Sequence, residues 1–76
     1  MKKYVAVFRS RTDVNSFIYD MKKSNAYVKA VPTPSQAKIG CGISAEFLPS
    51  SINIAKKLIN NGKYKSFHTI LVKNST

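Results

Sequence analysis

The sequence has few acidic residues, one cysteine and one histidine. Its 76 residues include only three acids, which are Asp13, Asp20 and Glu46. A pair of catalytic carboxylates or a multi-histidine metal site has little to draw on in such a chain. The single cysteine, Cys41, excludes an internal disulfide framework, a CxxC redox pair and a cysteine-based structural zinc site. We therefore expect no metal and no cofactor.

The chain also lacks a long hydrophobic run. The apolar start at residues 4–8 is interrupted by Arg9, and it is too short for a membrane span or for the hydrophobic part of a secretion signal. Because nothing marks secretion, we expect a cytoplasmic protein with a reduced thiol and no membrane contact. Repeats and linkers are absent too, and 76 residues provide room for one hydrophobic core. We expect a single domain over residues 1–76.

Positive charge is what the chain has in excess. Thirteen lysines and arginines against three acids give a formal net charge of +10. This charge favours anionic partners, because net charge governs association more than it governs the fold. The hydrophobic share of 43% is typical of a folded domain and not of a disordered tail.

The periodicity of the apolar residues predicts the order β-α-β-β-α-β. Residues 3–8, 26–31, 43–47 and 67–72 have the composition of strands. Apolar residues recur at helical spacing from Val14 to Met21 and from Ile52 to Ile59. Ser10 and Thr12 are the two candidate N-caps of the first helix. This order predicts an α+β fold of the ferredoxin-like type, a two-layer sandwich of two helices on one face of a four-stranded antiparallel sheet.

Alternation in the third strand predicts which of its side chains face the helices. Ile43, Ala45 and Phe47 are expected to point inward, and Ser44 and Glu46 are expected to face solvent. The sheet face without helices must then be solvated or covered by a partner. A homodimer through that face or through a sheet edge is one way to cover it.

The predicted topology places Cys41 at one end of the sheet. The third strand begins where its antiparallel neighbour, the first strand, ends, so we expect Cys41 near Arg9, Ser10 and Arg11 at the start of the first helix. Cations and a helix N-terminus favour the thiolate and lower a cysteine pKa from about 8.5 to about 3.5–7.5. Further cations and a histidine are expected at the same end, namely Lys38, Lys63, Lys65 and His68.

The glycines beside Cys41 favour an accessible thiol. Gly40 and Gly42 have no side chain that would cover the sulfur, and their backbone N–H groups are free to face an anion. The alternative is a buried, unreactive cysteine, which is the common state of a lone cysteine in a small domain.

The segment Val31-Pro-Thr-Pro, followed by Gly40-Cys-Gly-Ile-Ser44, resembles the selenium/sulfur carrier protein-like family of short bacterial proteins. The resemblance covers roughly residues 3–72. It implies that Cys41 carries sulfur or selenium as a persulfide or perselenide, with Gly42 and Ser44 as motif companions. It also implies a cysteine desulfurase-like donor and an acceptor protein as partners, so that the protein is a carrier and not a turnover enzyme.

A basic binding module is the main alternative. A basic domain with a four-stranded antiparallel sheet is similar to an RNA-recognition motif, whose open sheet face stacks bases on aromatic side chains. Tyr4, Tyr27, Tyr64 and Phe67 are the candidates for such a platform, although the motif's signature sequence is absent. Non-specific association with nucleic acid at low salt, or binding to an acidic protein, needs only the charge.

Two further alternatives use the same fold. Acylphosphatase shares the topology, and Arg9 or Arg11 could supply its cation, but no matching phosphate loop follows the first strand. A regulatory or assembly subunit without chemistry is the other alternative.

Overall fold

The structure is a computed structural model that describes residues 2–38 and 42–74. Its strands and α-helices, in chain order, are β1 (Lys2–Phe8), α1 (Arg11–Lys23), β2 (Val28–Pro32), β3 (Ile43–Phe47), α2 (Ile52–Asn60) and β4 (Phe67–Asn74), and short 3-10 helices lie at Ser35–Ala37 and Pro49–Ser51. The four strands form one antiparallel sheet in the order β2-β3-β1-β4. The predicted α+β, ferredoxin-like arrangement is therefore confirmed.

Helix α1 ends as predicted, before Ser24 and Asn25, but the turn that follows it is longer than predicted. Asn25 adopts a left-handed conformation with φ 61°, and its N–H donates to Lys22 O at 3.0 Å. The N–H of Ala26 donates to Met21 O at 3.1 Å. These bonds satisfy carbonyl groups that the helix leaves free at its C-terminus. As a result, β2 begins at Val28, two residues later than the pattern of apolar residues predicts.

The main hydrophobic core lies between the sheet and the two helices. On α1, the apolar positions Val14, Phe17 and Met21 are fully buried. The ring of Phe17 lies 5.2 Å from that of Phe8 on β1 and 6.1 Å from that of Phe47 on β3, as distances between ring centroids. Each fully buried side chain of this size stabilises the fold by roughly 1.5–3 kcal/mol. This core fixes α1 across the centre of the sheet.

The segment between α2 and β4 is bound along α1 by both acids of that helix. Asp13 Oδ2 accepts hydrogen bonds from the N–H of Ser66 at 2.9 Å and from its hydroxyl at 2.5 Å. Asp20 Oδ2 accepts one from Lys63 Nζ at 2.8 Å and one from the hydroxyl of Tyr64. The two carboxylates therefore attach the segment that leads into β4.

The bonds at Asp20 change the acidity of both partners. Desolvation by burial acts to raise the pKa of Asp20, but the bonds from Lys63 and Tyr64 and the charges of Lys63 and Lys23 outweigh it, so the pKa lies below its ordinary value of 3.8. Desolvation, the bond to Asp20 and the charges of both α1 acids raise the pKa of Tyr64 above its ordinary value of 10.0. At neutral pH the bond therefore joins a carboxylate to a neutral phenol.

The sheet face opposite the helices carries a second, smaller hydrophobic cluster. The chain after β2 folds back over this face, where Ala37 packs against Val5, Val7 and Val31, with Leu71 at the side. Here the prediction for β3 is wrong, because Ser44 and Glu46 are 0% and 2% exposed and do not face solvent. Alternation correctly turns them away from the helices, but other parts of the chain then cover them.

Candidate functional site

The two halves of the proline- and glycine-containing motif are held together at the start of β3. Val31 pairs with Ser44 and Pro32 with Ile43 in the β2–β3 ladder. Beyond the ladder, the N–H of Thr33 donates to Gly42 O at 3.2 Å. The hydroxyl groups of Thr33 and Ser44 are 2.8 Å apart and form a hydrogen bond. These contacts close the base of the loop between β2 and β3.

Cys41 and Gly40, two of the predicted site residues, lie outside the residues that the structure describes, as does Ile39. The described residues closest to them in sequence are Lys38 and Gly42, and both are exposed. A Cβ atom added to Gly42 would meet no described atom within 4 Å. The described surroundings therefore do not themselves require a glycine at position 42.

Arg9, Ser10 and Arg11 follow β1 at the end of the sheet where β3 begins. Ala6 pairs with Ala45 in the antiparallel β1–β3 ladder, so the last residues of β1 and the first of β3 lie at the same end. Both arginines are exposed. Helix α1 begins here at Arg11, and the side chain of Ser10 forms no capping hydrogen bond with it. The structure thus gathers two cations and a helix N-terminus at the end from which β3 starts.

Contacts with Ser66, the residue before β4, and with His68 on β4 orient Arg9 and Ser10. The N–H of Arg9 donates to Ser66 O at 2.9 Å, and the N–H of Ser10 donates to the Ser66 hydroxyl at 3.0 Å. The guanidinium Nη2 of Arg9 lies 3.3 Å from Nδ1 of His68, at hydrogen-bond distance. His68 is therefore at the predicted end of the sheet. Lys63 is not available there, because its ammonium group is paired with Asp20 in the second half of α1.

A cluster of one carboxylate and three lysines lies on the sheet face opposite the helices. The nearly buried carboxylate of Glu46 is 3.4 Å from Lys73 Nζ, 3.8 Å from Lys3 Nζ and 4.0 Å from Lys29 Nζ. The four residues belong to four different strands. We call Lys3, Lys29 and Lys73 around Glu46 the lysine cluster. Beside it is an open cavity of about 800 Å³.

Comparison with known protein families identifies the kind of protein. Residues 3–69 match the family model described as "Putative Se/S carrier protein-like". The chain belongs to this selenium/sulfur carrier protein-like family. No curated protein and no solved structure matches the chain. Membership of a carrier-like family implies that the chain acts together with partner proteins.

The matched range contains the whole motif on which the resemblance was based. It includes the Val31–Pro34 segment and residues 40–44, as well as Arg9, Ser10 and Arg11. In this member of the carrier-like family, the described half of the motif forms the closed base of the β2–β3 loop, through Thr33, Gly42 and Ser44. Ser44 is thus a buried hydrogen-bonding partner and not an exposed polar group.

The aromatic platform of the RNA-binding alternative is absent from the described part of the chain. Tyr64 belongs to the core on the helix side of the sheet, and Tyr4 and Phe67 pack against that core. Tyr27 is exposed but lies before β2, outside the strands. The interpretation of these four residues as one base-stacking surface is therefore wrong.

Among the residues that the structure describes, no group of three or more His, Cys, Asp or Glu side chains could hold a metal ion. Over the same ranges, neither helix has the length and apolar character needed to cross a membrane.

The lysine cluster and its cavity were not found by sequence reasoning. Each lysine looks like an ordinary solvated residue in the sequence, and Glu46 looks like an outward-facing acid. The one available signal is period two, which puts Lys3 on the same face as Val5, and Lys73 on the same face as Leu71. Only the register between strands shows that these positions meet.

Proposed function

We propose that the protein carries sulfur or selenium on Cys41, as a persulfide or perselenide, and passes it between partner proteins. The observation that carries this proposal is the family match over residues 3–69, which includes the only cysteine of the chain. A carrier needs one nucleophilic thiol to accept the cargo, whereas the thiol that removes it belongs to the partner. A reduced thiol, and with it a cytoplasmic location, is part of the proposal.

The transfer step is a thiol exchange in which no net oxidation occurs. The Cys41 thiolate attacks the terminal sulfur of a cysteine persulfide on a desulfurase-like donor. A new S–S bond forms to Cys41, the S–S bond of the donor breaks, and the donor cysteine leaves as a thiolate. The same exchange with an acceptor cysteine removes the sulfur from Cys41. A perselenide follows the same steps with selenium as the transferred atom.

The described surroundings of the loop support this chemistry. The bonds of Thr33 to Gly42 and Ser44 fix the start of β3, the strand into which residue 41 leads. Arg9 and Arg11 provide positive charge at the end of the sheet from which β3 starts. Cations favour the thiolate and the anionic persulfide over their protonated forms.

Intact-protein mass spectrometry tests the carrier function. The reduced protein is incubated with a cysteine desulfurase and cysteine, and we expect the addition of one sulfur atom that a thiol reductant removes. Cys41→Ser, which leaves no thiol in the chain, should gain nothing. If several desulfurases of different classes add no sulfur to the wild-type protein, the proposal fails.

The role of the arginines is tested by the pH dependence of alkylation with iodoacetamide. We expect reaction at a pH below about 8.5, where a free thiol is mostly protonated. Arg9→Ala and Arg11→Ala should each slow the reaction at neutral pH, whereas Lys56→Ala on α2 removes the same charge and should leave it unchanged. Equal alkylation rates in all three variants would show that the arginines do not activate the thiol.

A further inference from the structure

We propose that the sheet face opposite the helices binds a small organic anion with an apolar body. The site is the cavity of about 800 Å³ beside the lysine cluster. Its wall is apolar where Val31, Pro34 and Leu71 line it, and Lys29 and Lys73 line it as cations. The lining also includes Pro32 and Thr33 of the motif, but the binding of an anion here is a different chemistry from the sulfur transfer proposed for Cys41.

The lysine cluster has more positive charge than Glu46 can neutralise. Three ammonium groups lie within 4.0 Å of a single carboxylate, which leaves two positive charges in excess. Glu46 is 2% exposed, so it holds the lysines from beneath and does not itself reach solvent. An anion that enters the cavity is therefore attracted by the lysines and shielded from the carboxylate, whereas a cation is repelled.

The lysines also keep hydrogen-bonding capacity for a ligand. Lys3 and Lys29 are at ion-pair distance from Glu46 Oε2, but that oxygen forms no hydrogen bond in the described part of the chain. Lys73 forms one long bond, of 3.4 Å, with Oε1. Each ammonium group has three donors, and the side chains of Lys29 and Lys73 are 56% and 53% exposed. Their remaining donors are free to bind a carboxylate or phosphate group.

The dimensions and lining favour a small molecule. Sites for small ligands measure about 300–1,000 Å³ and combine an apolar lining with a few polar groups that fix the orientation. The cavity has that size, and Gln36 and Asn74 add polar groups to its lining. A carboxylate or phosphate on an aliphatic or aromatic body would place its charge at the lysines and its body on the Val31 and Leu71 side chains.

Titration with two matched probes tests the proposal. Phenylbutyrate and phenylbutylamine share an apolar body and differ in the sign of their charge. We expect saturable binding of phenylbutyrate, with amide NMR shifts concentrated in β2 and in the second half of β4, and no binding of phenylbutylamine. Equal binding of both probes, or no saturable binding of phenylbutyrate, would overturn the proposal.

A pair of double variants locates the site. Lys29→Ala with Lys73→Ala should weaken phenylbutyrate binding on the order of tenfold, since an ion pair with an exposed ammonium group contributes up to about fivefold. Lys56→Ala with Lys57→Ala removes the same charge from α2, in the other layer, and should change binding less than about twofold. Equal weakening in the two double variants would show attraction by net charge alone and would overturn the site.

The titration also distinguishes this proposal from a protein-binding surface and from the carrier function. An acidic peptide that shifts the same amides, when phenylbutyrate does not, would replace the small ligand by a protein partner and overturn the proposal. The titration uses no sulfur donor and no transfer step. A failure to bind anions would therefore not count against the carrier proposal, which the mass measurement tests. Likewise, a failure to gain sulfur would not count against the anion site.

Discussion

Replacing Tyr64 by phenylalanine removes a single hydroxyl from the interface between α1 and the segment before β4. The ring of Tyr64 is 4% exposed and packs 5.7 Å from Phe8 and 5.5 Å from Phe17, measured between ring centroids. Phenylalanine keeps this packing, because it has the same ring. The substitution therefore isolates the hydrogen bond from the hydroxyl to Asp20.

The expected loss follows from the partner of that bond. Hydrogen bonds to charged groups contribute about 1.5–3 kcal/mol to stability. The lower end applies here, because Asp20 keeps its bond with Lys63 and its side chain is 13% exposed, so that water can replace the hydroxyl. We expect Tyr64→Phe to lower the free energy of unfolding by about 1.5 kcal/mol, out of the roughly 4–11 kcal/mol typical of a chain of this length.

The loss should also depend on pH. The pKa of Asp20 in the folded protein is below 3.8, the value taken for the unfolded chain. A carboxylate with a depressed pKa contributes stability above its unfolded value, and this contribution disappears as the pH falls through the folded-state pKa. Below pH 3.8 the difference between Tyr64→Phe and the wild type should therefore shrink, because the hydroxyl then bonds to a neutral carboxyl group.

Urea unfolding followed by circular dichroism measures this difference at neutral pH and at a pH well below the ordinary value for aspartate. Tyr19→Phe is the matched control, because it removes the same hydroxyl from a tyrosine on α1 that is 62% exposed. We expect it to lower the free energy of unfolding by no more than about 0.5 kcal/mol. If Tyr64→Phe costs no more than Tyr19→Phe, or costs the same at both pH values, the reasoning about Asp20 is refuted.

Three further predictions concern stability, and urea unfolding checks each of them. Ser66→Ala removes the hydroxyl that joins the first turn of α1 to the start of β4, so we expect a loss of about 1–3 kcal/mol; no loss would mean that water replaces it fully. Thr33→Val leaves the buried hydroxyl of Ser44 unpaired and should cost about 1–3 kcal/mol, most of which Ser44→Ala in the same chain should recover. Gly62→Ala should cost about 1–2 kcal/mol, because a φ of 76° strains any residue with a Cβ atom; a loss within about 0.5 kcal/mol would contradict this backbone conformation.

The order of elements could be predicted because its signals are local. Helical spacing of Val14, Phe17 and Met21 and the β-branched and aromatic character of β1 depend on neighbours within a few residues. Given that order, the rules for chain connections leave the antiparallel β1–β3 pair as the centre of the sheet. The boundary of β2 was less accurate, because it depends on how Asn25 ends α1.

The candidate site could be predicted only in part. Antiparallel pairing brings Arg9 and Arg11 to the end of the sheet where β3 begins, and a sequence with a known topology contains that information. The contacts of individual side chains could not be predicted in this way, because they depend on exact positions in three dimensions. Lys63 was expected at the same end but pairs with Asp20, and Ser44 was expected in solvent but bonds to Thr33.

By itself the sequence determined that this protein has one thiol, a large positive charge and the alternating strands and helices of its sheet, because composition and periodicity are properties of the chain. Only the tertiary structure decided that Glu46 is buried and that Lys3, Lys29 and Lys73 surround it. These residues are distant in sequence and come from four strands, so the strand register and the folding-back of the chain after β2 bring them together. Alternation states which face a side chain takes, but not what covers that face.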